Sequence, residues 1–267
     1  MNSIRLAKNA GAFYPAKRGE IEKMIELFNS SLERREDFNK IIKITPRAII
    51  SPHAGYVYSG YTANIAHRLL SNNSVKRVVV IGPSHHVYFN GVSGSFYNIY
   101  QTPIKDIPID LEYLNIIDKN FSLEFIQKAH YLEHSTETQM PFLAHYQPNI
   151  KVIELIYGNN SLEKLSKIVT WLLEDTLTAV VISTDLSHFY SLQRAQTLDS
   201  ICINGISKLD NSILEMGCEA CGLIGIEALN IGAKLLNLES FILDYRTSAD
   251  ASGDTNRVVG YVSAAYF

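Results

Sequence analysis

The sequence lacks the residues that several function classes depend on. Cysteine occurs three times in 267 residues, as Cys202, Cys218 and Cys221, too few for the disulfide framework of a small secreted domain. No apolar run approaches the ~18 residues that a membrane span needs. The opening stretch, MNSIRLAKNAGAFYPAKRGE, carries charges but no apolar centre and does not read as a secretory signal. Neither sign of charge dominates. The 24 Lys and Arg against 27 Asp and Glu leave a formal net charge of −3, which gives no electrostatic reason to expect nucleic acid or an anionic membrane as partner. Low-complexity tracts, flexible linkers and solenoid repeats are missing. So are the G-x-S-x-G elbow, the P-loop, G-x-G-x-x-G and H-E-x-x-H. The expectation is a soluble, cytoplasmic chain with one core over residues 1–267.

Hydrophobic residues make up 46% of the chain, enough to fill one large core. They fall in short runs rich in Val and Ile: Ala48-Ile49-Ile50, Val78-Val79-Val80-Ile81, Val152 to Tyr157, and Ala179-Val180-Val181-Ile182. Runs of this length and composition suit strands buried on both faces. Helix-length patterns lie between them, at 60–71, 109–119, 135–146, 161–175, 192–208 and 221–236. Strand alternating with helix predicts an α/β protein with a mainly parallel sheet. The segments 91–103 and 239–267 read as further strands without long helices between them, which makes the sheet mixed. The one dense charge run, Glu33 to Asp37, mixes signs and reads as the solvated end of an early helix.

Eight histidines are present, and four follow the end of a predicted buried strand: His53, His85, His86 and His188. Open α/β sheets bind ligands in the crevice outside the carboxyl ends of their strands. Three loops from parallel strands therefore bring these imidazoles to one edge. Imidazole suits Zn, Cu, Fe and Ni, so a metal is the first candidate for the cluster. Asp185, three residues before His188, can serve as a ligand or orient an imidazole. Glu133-His134-Ser135-Thr136-Glu137 adds two acids and another histidine. A plain helix start, with Ser135 or Thr136 as cap, explains Glu137 but not His134. His67 and His145 read as surface or packing residues, and His130 is open.

Cys218-Glu219-Ala220-Cys221 is a single C-x-x-C, without the second pair of a Cys₄ zinc site. It opens the predicted helix 221–236. A thiol at a helix N-terminus has a lowered pKa and becomes a metal-ligand candidate.

Several motifs occur together and in order: Ala10-Gly11-Ala12-Phe13-Tyr14-Pro15, Ser51-Pro52-His53-Ala54-Gly55-Tyr56, Gly82-Pro83-Ser84-His85-His86, Glu133-His134-Ser135 with Gln139-Met140-Pro141-Phe142, Ser183-Thr184-Asp185-Leu186-Ser187-His188, Cys221-Gly222, and Arg257 to Tyr261. From about residue 5 onward they resemble the Memo family. The resemblance implies a fold similar to the class III, LigB-like extradiol dioxygenases, an α/β sandwich with a mainly parallel, mixed sheet flanked by helices. It implies a metal held by two histidines and a cysteine, which fall on His53, His85 and Cys221, with His134, Asp185 and His188 lining the same pocket. In prokaryotes the family is often encoded beside AMMECR-type and radical SAM proteins. A thiolate replaces the carboxylate of the dioxygenase facial triad, so iron(II) is the first choice and copper or zinc remain open.

Two functions follow, beside a third, zinc hydrolysis, which fits the ligand set but has no dedicated motif. One is a metal-dependent oxidoreductase acting on a small molecule, with His134 or His188 as acid/base and Asp185 orienting His188. The other is a peptide- or anion-binding scaffold using the same pocket.

Overall fold

The Val- and Ile-rich runs become the central strands, and the alternation of their side chains builds two cores. The computed structural model describes residues 3–267. The chain begins with β1 (Ile4–Arg5), α1 (Arg18–Leu32), α2 (Phe38–Ile41), β2 (Ala48–Ser51), α3 (Tyr56–Leu70) and β3 (Arg77–Pro83). Next come β4 (Val92–Gly94), β5 (Ile99–Tyr100), β6 (Ile107–Pro108), α4 (Leu111–Phe121), α5 (Gln127–Tyr131), α6 (His134–Glu137) and α7 (Met140–Tyr146). Then follow β7 (Lys151–Tyr157), α8 (Leu162–Glu174), β8 (Thr178–Ser183), β9 (His188–Tyr190), α9 (Leu192–Lys208), α10 (Asn211–Leu214) and α11 (Leu223–Leu235). The last elements are β10 (Ser240–Thr247), α12 (Ala249–Ser252) and β11 (Val258–Tyr266).

The main sheet runs β10-β11-β2-β8-β3-β7-β4. Its centre, β2, β8, β3 and β7, is parallel, and antiparallel strands flank it on both sides. The single α/β domain with a mixed sheet is thus as expected. Successive strand residues point to opposite faces. Ile50, Val79, Ile81, Ile153 and Ile182 pack on one face against α8, α9 and α11. Ile49, Val78, Val80, Val152 and Val181 pack on the other against α1, α3 and α7. Both faces are covered, which is why the central strands read as continuous apolar runs. No helix among the described residues is long and apolar enough to cross a membrane.

Two helix expectations need correction. The pattern at 135–146 is two helices, α6 and α7, not one. Pro141 has no N–H to continue the first helix, so the chain restarts with proline in the opening turn of α7. The helix expected at 221–236 starts at Leu223, with Gly222 as its cap, so Cys221 lies outside it.

A buried polar network fastens the N-terminal segment beneath the sheet edge. Glu137, fully buried, accepts hydrogen bonds from Arg5 Nη1 (3.1 Å), Asn9 N (2.7 Å) and Tyr14 Oη (2.7 Å). Glu154, also buried, accepts from Tyr100 Oη and Thr136 Oγ1 and pairs with His130 Nδ1 at 2.8 Å. His130 is therefore a structural residue. Burial works against the charged form of Arg5, and the surrounding Tyr100, Glu154 and Glu137 more than offset it, so its pKa is raised. Removing one member of a buried ion pair leaves the other charge stranded. Glu137→Ala should lower stability by about 3–5 kcal/mol and release the N-terminal segment to protease before the rest of the chain. Urea unfolding and limited proteolysis read both effects, and a loss under 1 kcal/mol would contradict the network's role.

Candidate metal centre

The parallel strands β2, β3 and β8 end side by side, and the loops after them carry His53, His85 and Asp185. Register pairs Ser51 of β2 with Ser183 of β8, and Ile81 of β3 with Ile182 of β8. The loop before α11 adds Cys221. One donor atom from each of His53, His85 and Cys221 lies within 4.8 Å of the others. Tetrahedral ligand shells at ~2.0–2.3 Å per bond fall inside that spread, so the three form a set that could hold a divalent ion. His85, Glu133 and His134 form a second, overlapping group.

The hydrogen bonds decide which nitrogens are free. Ser183 Oγ donates its only proton to the Ser135 carbonyl and also accepts from Gln139 Nε2. It can therefore only accept from His53 Nδ1, 3.0 Å away. That fixes the tautomer and leaves the His53 Nε2 lone pair facing Cys221 Sγ at 3.3 Å. His85 Nδ1 lies 2.8 Å from Glu133 Oε1, and the His85 backbone N–H donates to Glu133 Oε2 at 2.7 Å. Glu133 also accepts from Ser135 N at 3.0 Å. Through these three bonds Glu133 orients His85 and caps α6, and it stays a donor of the second group. The cap expected from Ser135 or Thr136 comes instead from Glu133, whose side chain accepts from Ser135 N while it holds His85.

The His134 ring lies against His85 at a tilt of 32°, with centroids 4.4 Å apart, and 5.4 Å from His53. The Phe13 ring also packs against it, with centroids 4.6 Å apart. His86 is exposed, its ring 5.9 Å from His134. His188 opens β9, half-buried, and its charge bears on His53 and Asp185. No hydrogen bond joins Asp185 to His188 among the described residues. Asp185 Oδ1 instead accepts from the His53 backbone N–H at 2.8 Å, and the Asp185 peptide brackets the cysteine. Its N–H donates to Cys221 Sγ at 3.2 Å, and its carbonyl accepts from Cys221 N at the same distance. The expected orienting role of Asp185 therefore falls on His53 and Cys221. Two of the motif glycines are there for clearance: a Cβ at Gly222 would strike Thr184, and one at Gly82 would strike Ser135.

The cysteines also differ from expectation. Cys202 and Cys218 form a disulfide that ties α9 to the loop leading to Cys221, which stays free. The Cys221 thiol is not lowered by a helix terminus. Burial, with the Asp185 charge second, pushes it up to about 12, since Cys221 precedes the α11 cap. Burial outweighs other effects on the imidazoles too. It holds His53, with help from the His85 charge, at about 3 and His134 at about 4. Burial alone would raise Glu133, but the His85 hydrogen bond and charge hold it at about 2. Sequence reasoning gave no role to Ser183 or Gln139 and counted Glu133 only as one of two added acids, although all three lay in the quoted motifs.

His67 supplies a pH test away from the cluster. It is buried against Phe142, bonds Gln139 Oε1 at 2.8 Å, and is held by burial at about 4. A lowered folded pKa means the unfolded chain takes up its proton first as pH falls. Stability is therefore full above pH 6.5 and is lost as pH falls toward 4, by roughly 3 kcal/mol for this residue. His53 and His134 act in the same direction. Urea midpoints of chelator-treated protein should fall steadily between pH 6.5 and 4.5, and a flat profile would contradict the buried neutral imidazoles.

The family model for Memo-like proteins matches residues 5–265. A protein of Nitrosopumilus maritimus, called a MEMO1 family protein, is 30% identical over 97% of this chain and 98% of its own length. Proteins given the same name in Aquifex aeolicus and Sulfolobus acidocaldarius are 30% and 31% identical, each over 98% of this chain and 99% of their own length. With nearly the whole sequence matched and the motif histidines and cysteine drawn to one sheet edge, the chain belongs to the Memo-like family.

Proposed function

We propose that the chain is a mononuclear metal-dependent oxidoreductase acting on a small molecule, with the ion held by His53, His85 and Cys221. The observation that carries this reading is the donor arrangement. Two imidazoles have one nitrogen each bound to a buried acceptor, Ser183 or Glu133, and the remaining nitrogens converge with a thiol. Orienting partners of this kind fix the tautomer and raise ligand basicity. Iron(II) is the first choice, in line with the resemblance to extradiol dioxygenases, and copper or zinc fit the same donors. A bound ion would supply Lewis acidity and, if redox-active, one-electron chemistry.

The protein's own residues set the rest. Asp185 positions His53 and Cys221 through backbone bonds. Glu133 positions His85. His134, beside His85 and Phe13, and His188, at the start of β9, are the imidazoles that would take a proton from a substrate hydroxyl and return it. Phe13 and His134 restrict water on one flank.

His53→Ala, His85→Ala and Cys221→Ala should each remove bound metal from protein purified anaerobically. Glu133→Gln should weaken metal affinity roughly 10–100-fold. His134→Ala and His188→Ala should keep the metal and lose turnover by ~10²–10⁴, followed as O₂ uptake with candidate catechols. Equal metal loss in all five alanine variants would place His134 and His188 among the ligands. Metal-free protein that binds peptides or anions tightly and never takes up O₂ would favour the scaffold function.

A further inference from the structure

The space beside the cluster continues away from it. A cleft of about 350 Å³ includes His85 and shares His86 and Val87 with a second groove of about 420 Å³. The second groove is walled by Val87, Tyr97, Tyr131 and Leu132, and the last two are 47% and 48% exposed. A small apolar group, Phe89, Ala129 and Ile156, packs with Val87 at its inner end. The groove's volume is in the range of small-molecule sites, and it is its half-exposed large apolar side chains that suit a ligand. Two cations border it. Lys128 lines the groove, and Lys8 Nζ lies 4.6 Å over the Tyr131 ring. The lysines paired with carboxylates are Lys17, Lys151 and Lys167, elsewhere in the chain, so among the described residues neither Lys8 nor Lys128 has an anionic partner.

We propose that this groove is the recognition subsite for an amphipathic carboxylate, with its apolar body on Tyr97, Tyr131 and Leu132 and its anionic end at Lys128 and Lys8. Charge complementarity selects the occupant. Two exposed ammonium groups without a carboxylate partner attract an anion to that end of the groove and give a neutral group no such gain. The groove has no arginine to form the bidentate bonds that favour phosphate. Shared His86 and Val87 then make the groove the approach to the metal cluster. The word subsite rests on the function proposed above, whereas binding in the groove does not require the metal.

The test is calorimetric titration of the chelator-treated full chain with decanoate, and with 1-decanol as the neutral probe. Decanoate should bind saturably with one site per chain. Lys128→Ala should weaken decanoate about tenfold, in the range of a single charge contact, and leave decanol unchanged. Leu132→Asp should weaken both probes. No saturable binding, or decanoate binding indifferent to both substitutions, would overturn the proposal. So would binding that appears only after metal loading and ignores Lys128, since the carboxylate would then sit on the ion. Decanoate binding with the expected substitution pattern in a chain that takes up no metal would support the groove and count only against the function proposed above.

Discussion

The pairing of His85 with the buried carboxylate of Glu133 is the interaction on which the site depends. Glu133 has no exposed surface, and a carboxylate there survives only because every bond it needs is supplied. The His85 ring, the His85 backbone and the start of α6 supply them. One residue therefore joins the loop after β3 to the α6 turn that carries His134. The equivalent constraint on His53 comes through Ser183, which is itself held by Gln139 and the Ser135 carbonyl. Glu133, Ser135 and Gln139 all lie between residues 133 and 139, so one short segment holds His85 directly and His53 through Ser183 of β8.

That segment is in turn tied down from below. Thr136 and Glu137 face away from the cluster into the network of Arg5, Tyr14, Glu154 and His130. Buried ionic networks contribute little net stability compared with an apolar core, but they penalise any rearrangement that leaves a charge unpaired. Here that penalty resists movement of α6. Rigid support beneath the first residues around an ion is what holds ligand geometry when the ion is absent.

The positions of His53, His85, His86 and His188 were legible because buried parallel strands announce themselves as continuous Val and Ile runs, and residues just after such runs share one edge. The role of Glu133 was not legible, since it depends on a tertiary bond to a residue 48 positions away. Cys221 was legible as a donor but misread electrostatically. Its place beside a helix start suggested a lowered pKa, whereas one residue of offset and the desolvation of a half-buried thiol next to Asp185 reverse the direction. The break between α6 and α7 was written in Pro141, and a 12-residue apolar pattern masked it. The Cys202–Cys218 bridge could not be read, because C-x-x-C spacing draws attention to Cys218 with Cys221 while the partner lies on another helix.

The central claim is that two imidazole nitrogens and one thiolate sulfur share a single ion. X-ray absorption spectroscopy on the iron- or zinc-loaded chain tests it directly. The account predicts one sulfur scatterer at ~2.3 Å and two imidazole nitrogens at ~2.0–2.1 Å, with the sulfur lost in Cys221→Ser. A shell of nitrogen and oxygen alone, unchanged by Cys221→Ser, would contradict it.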